Sequence, residues 1–196
     1  MTIPVRRRIA AAALAAVTLA LGAAAHAQMS DPAGAAQASM VGGAAMYPSR
    51  NIIQNAVNSK DHTTLVSAVK AAGLVDTLQS DGPFTVFAPT NEAFAKLPSG
   101  AAATLMDPAN RARLAAVLTY HVVPGRLAVS DLLAKVEIGG GVATLTTVEG
   151  EPLTLTATGQ HVWLKDVSGR TARITIGDVM QSNGVIHVVD RVLLPK

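Results

Sequence analysis

The sequence predicts an α+β domain whose strands pair mostly antiparallel and are flanked by several short helices. Three observations carry this. Between residues 52 and 118 apolar residues recur at three- and four-residue spacing behind side chains that cap helices; from residue 142 onward they alternate; and glycine-containing dipeptides join the alternating runs. Helices first and hairpin-linked strands afterwards is the element order of an α+β domain.

The first 27 residues are expected to stand outside that domain. Arg6, Arg7 and Arg8 precede an uncharged Ala/Leu/Val stretch from Ile9 to Ala25, and Ala25-His26-Ala27 supplies a small-x-small cleavage pattern. Residues 1–27 therefore read as a secretory signal, cut before Gln28. The stretch is short and dominated by alanine, below the roughly 20 strongly apolar residues that span a bilayer. This predicts an exported chain, periplasmic or extracellular, with no membrane span after signal cleavage. Residues 28–46 are rich in Ala, Gly, Ser and Met without periodicity and are expected to form a flexible spacer, leaving 47–196 as the domain.

Within the domain, Ser49 is placed to cap a short helix carrying Ile52, Ile53, Ala56 and Val57. Asp61 is placed to cap a second, with Leu65, Val66, Val69 and Ala72 on one face and Gly73 at its end. Leu74 to Leu78 adds a turn or two. Asp81-Gly82-Pro83 breaks it, and Phe84-Thr85-Val86-Phe87 has strand character. Thr90 caps Asn91 to Leu97, closed by Pro98-Ser99-Gly100, and Asp107-Pro108 starts a helix through Leu114, Val117 and Leu118. Ser130 is expected to cap a last short helix through Ala134. Strands follow at Val142 to Val148, Leu153 to Ala157, Val162 to Lys165, Arg173 to Ile176 and Val185 to Val189, separated by Glu149-Gly150, Thr158-Gly159, Ser168-Gly169 and Asn183-Gly184.

Composition narrows function. Loss of the three signal arginines leaves thirteen basic against thirteen acidic residues, so the electrostatic footprint of a nucleic-acid or anionic-lipid binder is missing. With no cysteine, stability comes from an apolar core alone. Three Phe, two Tyr and one Trp argue against an exposed aromatic platform for sugars or single-stranded nucleic acid. Met29, Met40 and Met46 are irregularly spaced and lack nearby His, which argues against a copper site. His62, His121, His161 and His187 form no metal-ligand pair, and no nucleophile elbow is present. Gly139-Gly140-Gly141 precedes a strand rather than a phosphate-holding helix. No catalytic residue, metal or cofactor is expected, and the chain reads as a non-enzyme. His121 and His187 with Asp178 or Asp190 are the set that a hydrolase or metalloprotein would have to use.

Three segments carry a more specific signal: Thr85-Val86-Phe87-Ala88-Pro89-Thr90-Asn91-Glu92-Ala93-Phe94, then Leu118-Thr119-Tyr120-His121-Val122-Val123, then Asn183-Gly184-Val185-Ile186-His187-Val188-Val189-Asp190 with Val192-Leu193-Leu194-Pro195 behind it. In this order they resemble the two boxes and the intervening Tyr-His motif of fasciclin domains, over essentially Tyr47 to Pro195. The resemblance implies a compact β-sandwich or wedge flanked by helices. Physically, Pro89 ends strand pairing and aims the chain into a helix capped at Thr90, with Asn91 following and Phe87 and Phe94 packed under the corner. Asn183-Gly184 tolerates the positive φ of a tight turn, and Val185, His187 and Val189 share one strand face, ahead of Asp190.

In animal fasciclin proteins the Tyr-His motif is implicated in integrin binding, which the resemblance places on Tyr120 and His121 with Leu118, Val122 and Val123. A second pair, before the Asn-Gly turn, falls on Asp178 and Val179, although Ile176-Gly177 departs from the family's residues there. Tyr120 and His121 either contact a partner or lock helix to sheet. The function expected is an exported binding module for cell adhesion or matrix attachment, whose partner is a cell-surface or matrix protein or a polysaccharide. The alternative is a periplasmic carrier of a small ligand or lipid, with an aliphatic pocket between sheet and helices.

Overall fold

The computed structural model describes residues 38–196; the expected signal and the first part of the expected spacer lie outside them. Seven helices and nine strands follow in order among the described residues. A short hairpin of β1 (Ser39–Val41) and β2 (Ala44–Met46) comes first, then α1 (Ile52–Ala56), α2 (Thr63–Ala72) and α3 (Val75–Gln79). Strand β3 (Phe84–Pro89) leads into α4 (Asn91–Ala95), α5 (Ala101–Met106), α6 (Arg111–Tyr120), β4 (Val122–Pro124) and α7 (Val129–Ile138). The chain ends in β5 (Val142–Thr146), β6 (Pro152–Thr158), β7 (His161–Lys165), β8 (Thr171–Gln181) and β9 (Gly184–Val189).

One seven-stranded sheet organises the domain, in the order β4-β3-β9-β8-β7-β6-β5. Every pair is antiparallel except β3 with β9, which run parallel in the register Val86↔Ile186, Phe87↔His187, Ala88↔Val188. Strands buried on both faces read as continuous apolar runs, and Phe84–Pro89 and Gly184–Val189 are of that kind. Their alternate residues enter two cores. Val86, Ala88, Ile186 and Val188 face a core shared with α1, α2 and α6, whereas Phe87 and Val189 face a second one built with α7 and the hairpins β5–β8. Eleven-residue β8 serves both layers by bending at irregularities between Ile174 and Val179. Beyond β5, the N–H of Val148 donates to the carbonyl of Val122 at the far edge (2.7 Å), drawing the two sheet edges together.

Several expectations are corrected here. The spacer does not extend through residue 46: Val41 and Met46 are 1 % exposed and belong to the first core, so the described part of residues 39–46 is a packed hairpin. Asn51, not Ser49, caps α1, through a box in which its side chain takes the N–H of Gln54 and Gln54 takes that of Asn51. Asp61 lies inside a 3-10 turn (Lys60–His62) rather than capping α2. The last helix starts at Val129 and runs four residues past Ala134. Phe87 and Phe94 do not share a corner: Phe87 enters the second core from β3, whereas Phe94, on α4, packs in the first. Other features match: Thr90 accepts from the N–H of Ala93 (3.2 Å), Gly73 ends α2 in the left-handed region at φ 75°, and Asp107 caps the turn at Pro108.

Candidate functional site

The motif residues converge where α6, β3 and β9 meet, and their polar atoms are directed inward. Tyr120 ends α6 and is 0 % exposed. Its hydroxyl donates to the carbonyl of Pro152 (2.9 Å) and accepts from the N–H of Val167 (3.3 Å), pinning the helix to β6 and to the β7–β8 turn. Burial, the main cause, pushes this phenol up to about 12. His121, 2 % exposed, donates from Nδ1 to the carbonyl of Val117 (2.7 Å) and accepts at Nε2 from the N–H of Leu193 (3.0 Å). That pair of bonds requires the neutral Nδ1–H tautomer. Burial pulls its pKa down to about 4, against the raising effects of the Val117 carbonyl and of Asp166.

His187 is used in the same way on the other side of β3. Its Nε2 donates to the carbonyl of Leu127 (2.8 Å), its Nδ1 accepts from the N–H of Asp178 (3.2 Å), and its ring stacks on Phe87 with centroids 5.7 Å apart. Burial lowers its pKa as well. Asp178 has a positive φ of 57°, and its Oδ1 accepts from the N–H of Val129 (2.8 Å), closing the start of α7. Asn183 is a three-way staple: Oδ1 accepts from the N–H of Ile52, and Nδ2 donates to the carbonyls of Leu78 and Ser80. Gly184 is not at a positive φ, which corrects the turn argument. A Cβ there would stand 2.1 Å from the backbone oxygen of Phe84, so glycine is required by the close approach of β3 and β9.

Tyr120, His121, Leu118, Val122 and Val179 are all buried, so the expectation that they form a contact surface is corrected; of the six residues only Asp178 is exposed. His121, His187, Asp178 and Asp190 are not drawn into one cluster: Asp190 instead accepts the N–H of Arg173 (2.8 Å). Among the described residues no group of three His, Asp or Glu side chains is arranged to hold a metal. Sequence reasoning passed over Asp166, a buried carboxylate whose Oδ1 accepts from the N–H groups of Ser168 and Arg170 and whose Oδ2 accepts from that of Leu194. Its signal was the Asp-x-Ser-Gly turn, in which an Asp side chain bonds the backbone two residues on. It likewise passed over Asn55, buried and bonded to Gln181 and Tyr47.

The family model of the fasciclin domain matches residues 60–195. The chain belongs to the fasciclin domain family. Protein sll1483 of Synechocystis is 42% identical over 161 residues, covering 81% of each chain. Immunogenic protein MPB70 of Mycobacterium bovis is 34% identical and covers 71% of this chain and 66% of its own. Transforming growth factor-beta-induced protein ig-h3 of Sus scrofa is 35% identical, and the match spans 67% of this chain but 17% of the relative. Among solved structures, a FAS1 domain pair from the insect cell adhesion molecule fasciclin I superposes with a TM-score of 0.66 at 19% identity, covering 76% of this chain and 52% of that one. That likeness speaks for the fold alone, which is the fasciclin fold.

Proposed function

We propose that this fasciclin domain is an exported attachment module that binds a cell-surface or matrix component and carries out no catalysis. Family membership carries the reading, because the fold is shared with domains of an insect cell adhesion molecule. The chemistry of the interior supports it. The motif groups that a hydrolase would use as nucleophile, acid or base are spent on backbone hydrogen bonds and held in their neutral forms. Among the described residues no helix is long and apolar enough to cross a membrane. The carrier alternative asks for an aliphatic pocket between sheet and helices; a surface recess of about 400 Å³ opens elsewhere, among Leu105, Val117 and Leu194, but the cleft between sheet and helices, among Ile52, Leu65, Val69, Val86 and Leu118, holds only about 30 Å³. That is room for about one water molecule.

The test is attachment by the producing cells. A strain lacking the protein should lose retention on an immobilised matrix of its own surface material, and adding back the purified mature chain should restore it. Unchanged retention in the deletion strain would count against the reading.

A further inference from the structure

Most arginines of the domain are engaged within it. Arg50 lies over the Tyr47 ring (5.1 Å) and Arg173 over the Trp163 ring (6.0 Å), Arg111 donates to the carbonyl of Ala72, and Arg126 donates to those of Gln181 and Ser182. Three other cations are arranged differently. Lys96 at the end of α4, Arg170 in the β7–β8 turn and Arg191 just after β9 line one surface pocket of about 200 Å³, beside Ala93, Leu97 and Pro98. Among the described residues no carboxylate lines it. Lys96 is oriented by its Nζ donating to the carbonyl of Asp190 (2.9 Å), and the side chains of Arg170 and Arg191 make no hydrogen bond or ion pair among the described residues.

Like charges brought together repel unless an anion lies between them. Among the described residues none of the acids nearby forms an ion pair with these side chains. Asp166 is buried on three backbone N–H groups, Asp190 accepts from Arg173, and Glu92 lines a separate recess with Asp61 and Asn91. Two more cations, Lys165 at the end of β7 and Arg173 near the start of β8, lie at the same end of the sheet. Next to Arg173, the domain's one tryptophan, Trp163, points away from the core and is paired across the strands with Thr156 and Arg173. The expectation drawn from the low aromatic count therefore misses one half-exposed aromatic ring flanked by a hydroxyl and a guanidinium.

We propose that the pocket of Lys96, Arg170 and Arg191 binds the carboxylate or sulfate groups of an acidic polysaccharide; this names a partner class for the attachment reading and rests on it. Arginine forks match the geometry of planar and tetrahedral oxyanions. The large apolar side chains that are exposed, such as Ile138, Val142 and Val57, do not line the pocket, which sets it apart from a membrane-inserting surface.

The experiment uses the mature chain and three immobilised polymers: polygalacturonate, dextran sulfate and neutral dextran. Retention on one or both acidic polymers, none on neutral dextran, and release by salt are expected. Arg170→Gln with Arg191→Gln should weaken binding about a hundredfold, near tenfold per guanidinium. The control pair Arg113→Gln with Lys135→Gln, which removes the same charge elsewhere, should bind as the parent does, and matching melting temperatures establish that both variants are folded. No retention of the parent on either acidic polymer would overturn the proposal, as would equal loss in the control pair or binding to phosphatidylglycerol vesicles instead. Cell attachment separates the two readings. A pocket variant that still restores attachment removes the pocket and leaves the attachment function, whereas a parent chain that binds the polymer and restores no attachment keeps the pocket and removes the attachment function.

Discussion

The polar residues at the centre of the domain and those at the end of its sheet are used in opposite ways. Tyr120, His121, His187 and Asn183 are buried, and each is bonded to backbone groups far away in sequence. Lys96, Arg170 and Arg191 are exposed, come from three separate segments, and gather round a pocket that no carboxylate among the described residues lines. A buried polar group must find its partner inside the protein or forfeit its solvation, which costs about 1–3 kcal/mol. An exposed one is hydrated whatever it does. The buried polar groups of the recognisable motifs are thus committed to the fold, and the exposed cations lie outside those motifs.

The largest effect expected on this contrast comes from the central ring. Tyr120→Ala should destabilise by about 3–5 kcal/mol, the range of aromatic core truncations. If that variant fails to fold, Tyr120→Phe, which keeps the ring and removes the hydroxyl bonds, should cost about 1–2 kcal/mol in denaturant melts. A near-neutral Tyr120→Ala would mean that this side chain does not lock helix to sheet.

Acid should act on the interior next. His121 has its folded pKa lowered to about 4 from an ordinary 6.5, so the unfolded chain binds the proton first as pH falls. Stability is then complete above 6.5 and declines as pH drops toward about 4, by on the order of 3 kcal/mol from this group. His187 and His62 are shifted downward by burial too and add to the same slope. Urea melts from pH 7.5 to 4 measure this, and His121→Gln should flatten the slope while lowering the stability at neutral pH. A parent chain equally stable across that range would contradict the buried neutral imidazoles.

Gly184→Ala should cost about 1–3 kcal/mol, because the added methyl meets the backbone of Phe84 and the parallel pair must separate. The same substitution at Gly140, where φ is 70° and the space around a Cβ is open, separates crowding from φ strain. A penalty at Gly140 alone would show that strain rather than interstrand approach governs. The smallest effect belongs to the exposed end. Arg170→Gln and Arg191→Gln should each change stability by less than about 0.5 kcal/mol. A loss well above that would place these guanidiniums in the fold and erase the contrast.

Much of the fold is legible in the order of residues alone. Alternation locates β5, β6 and β7, a short apolar run behind Asn183-Gly184 locates β9, and Thr90, Asp107 and Gly73 mark helix ends correctly, because period and capping are local properties of the chain. The hairpin at residues 39–46 escapes because three-residue strands are too short to show a period, and their apolar side chains gain burial only once the rest of the domain is present. The length of β8 escapes because its irregularities break the alternation after Ile174.

By itself the sequence determined the class, the order of most helices and of the later strands, and the three motifs that place the chain in its family. The tertiary structure alone decided that β9 lies parallel to β3, that Tyr120 and His121 face inward, and that Gly184 is needed for contact rather than for turning. It alone brought residues 96, 170 and 191 to one pocket. Periodicity reports which face of an element is apolar, and several packings satisfy the same faces. Which residues meet across a hundred positions of chain depends on how those faces are stacked, and no local pattern carries that information.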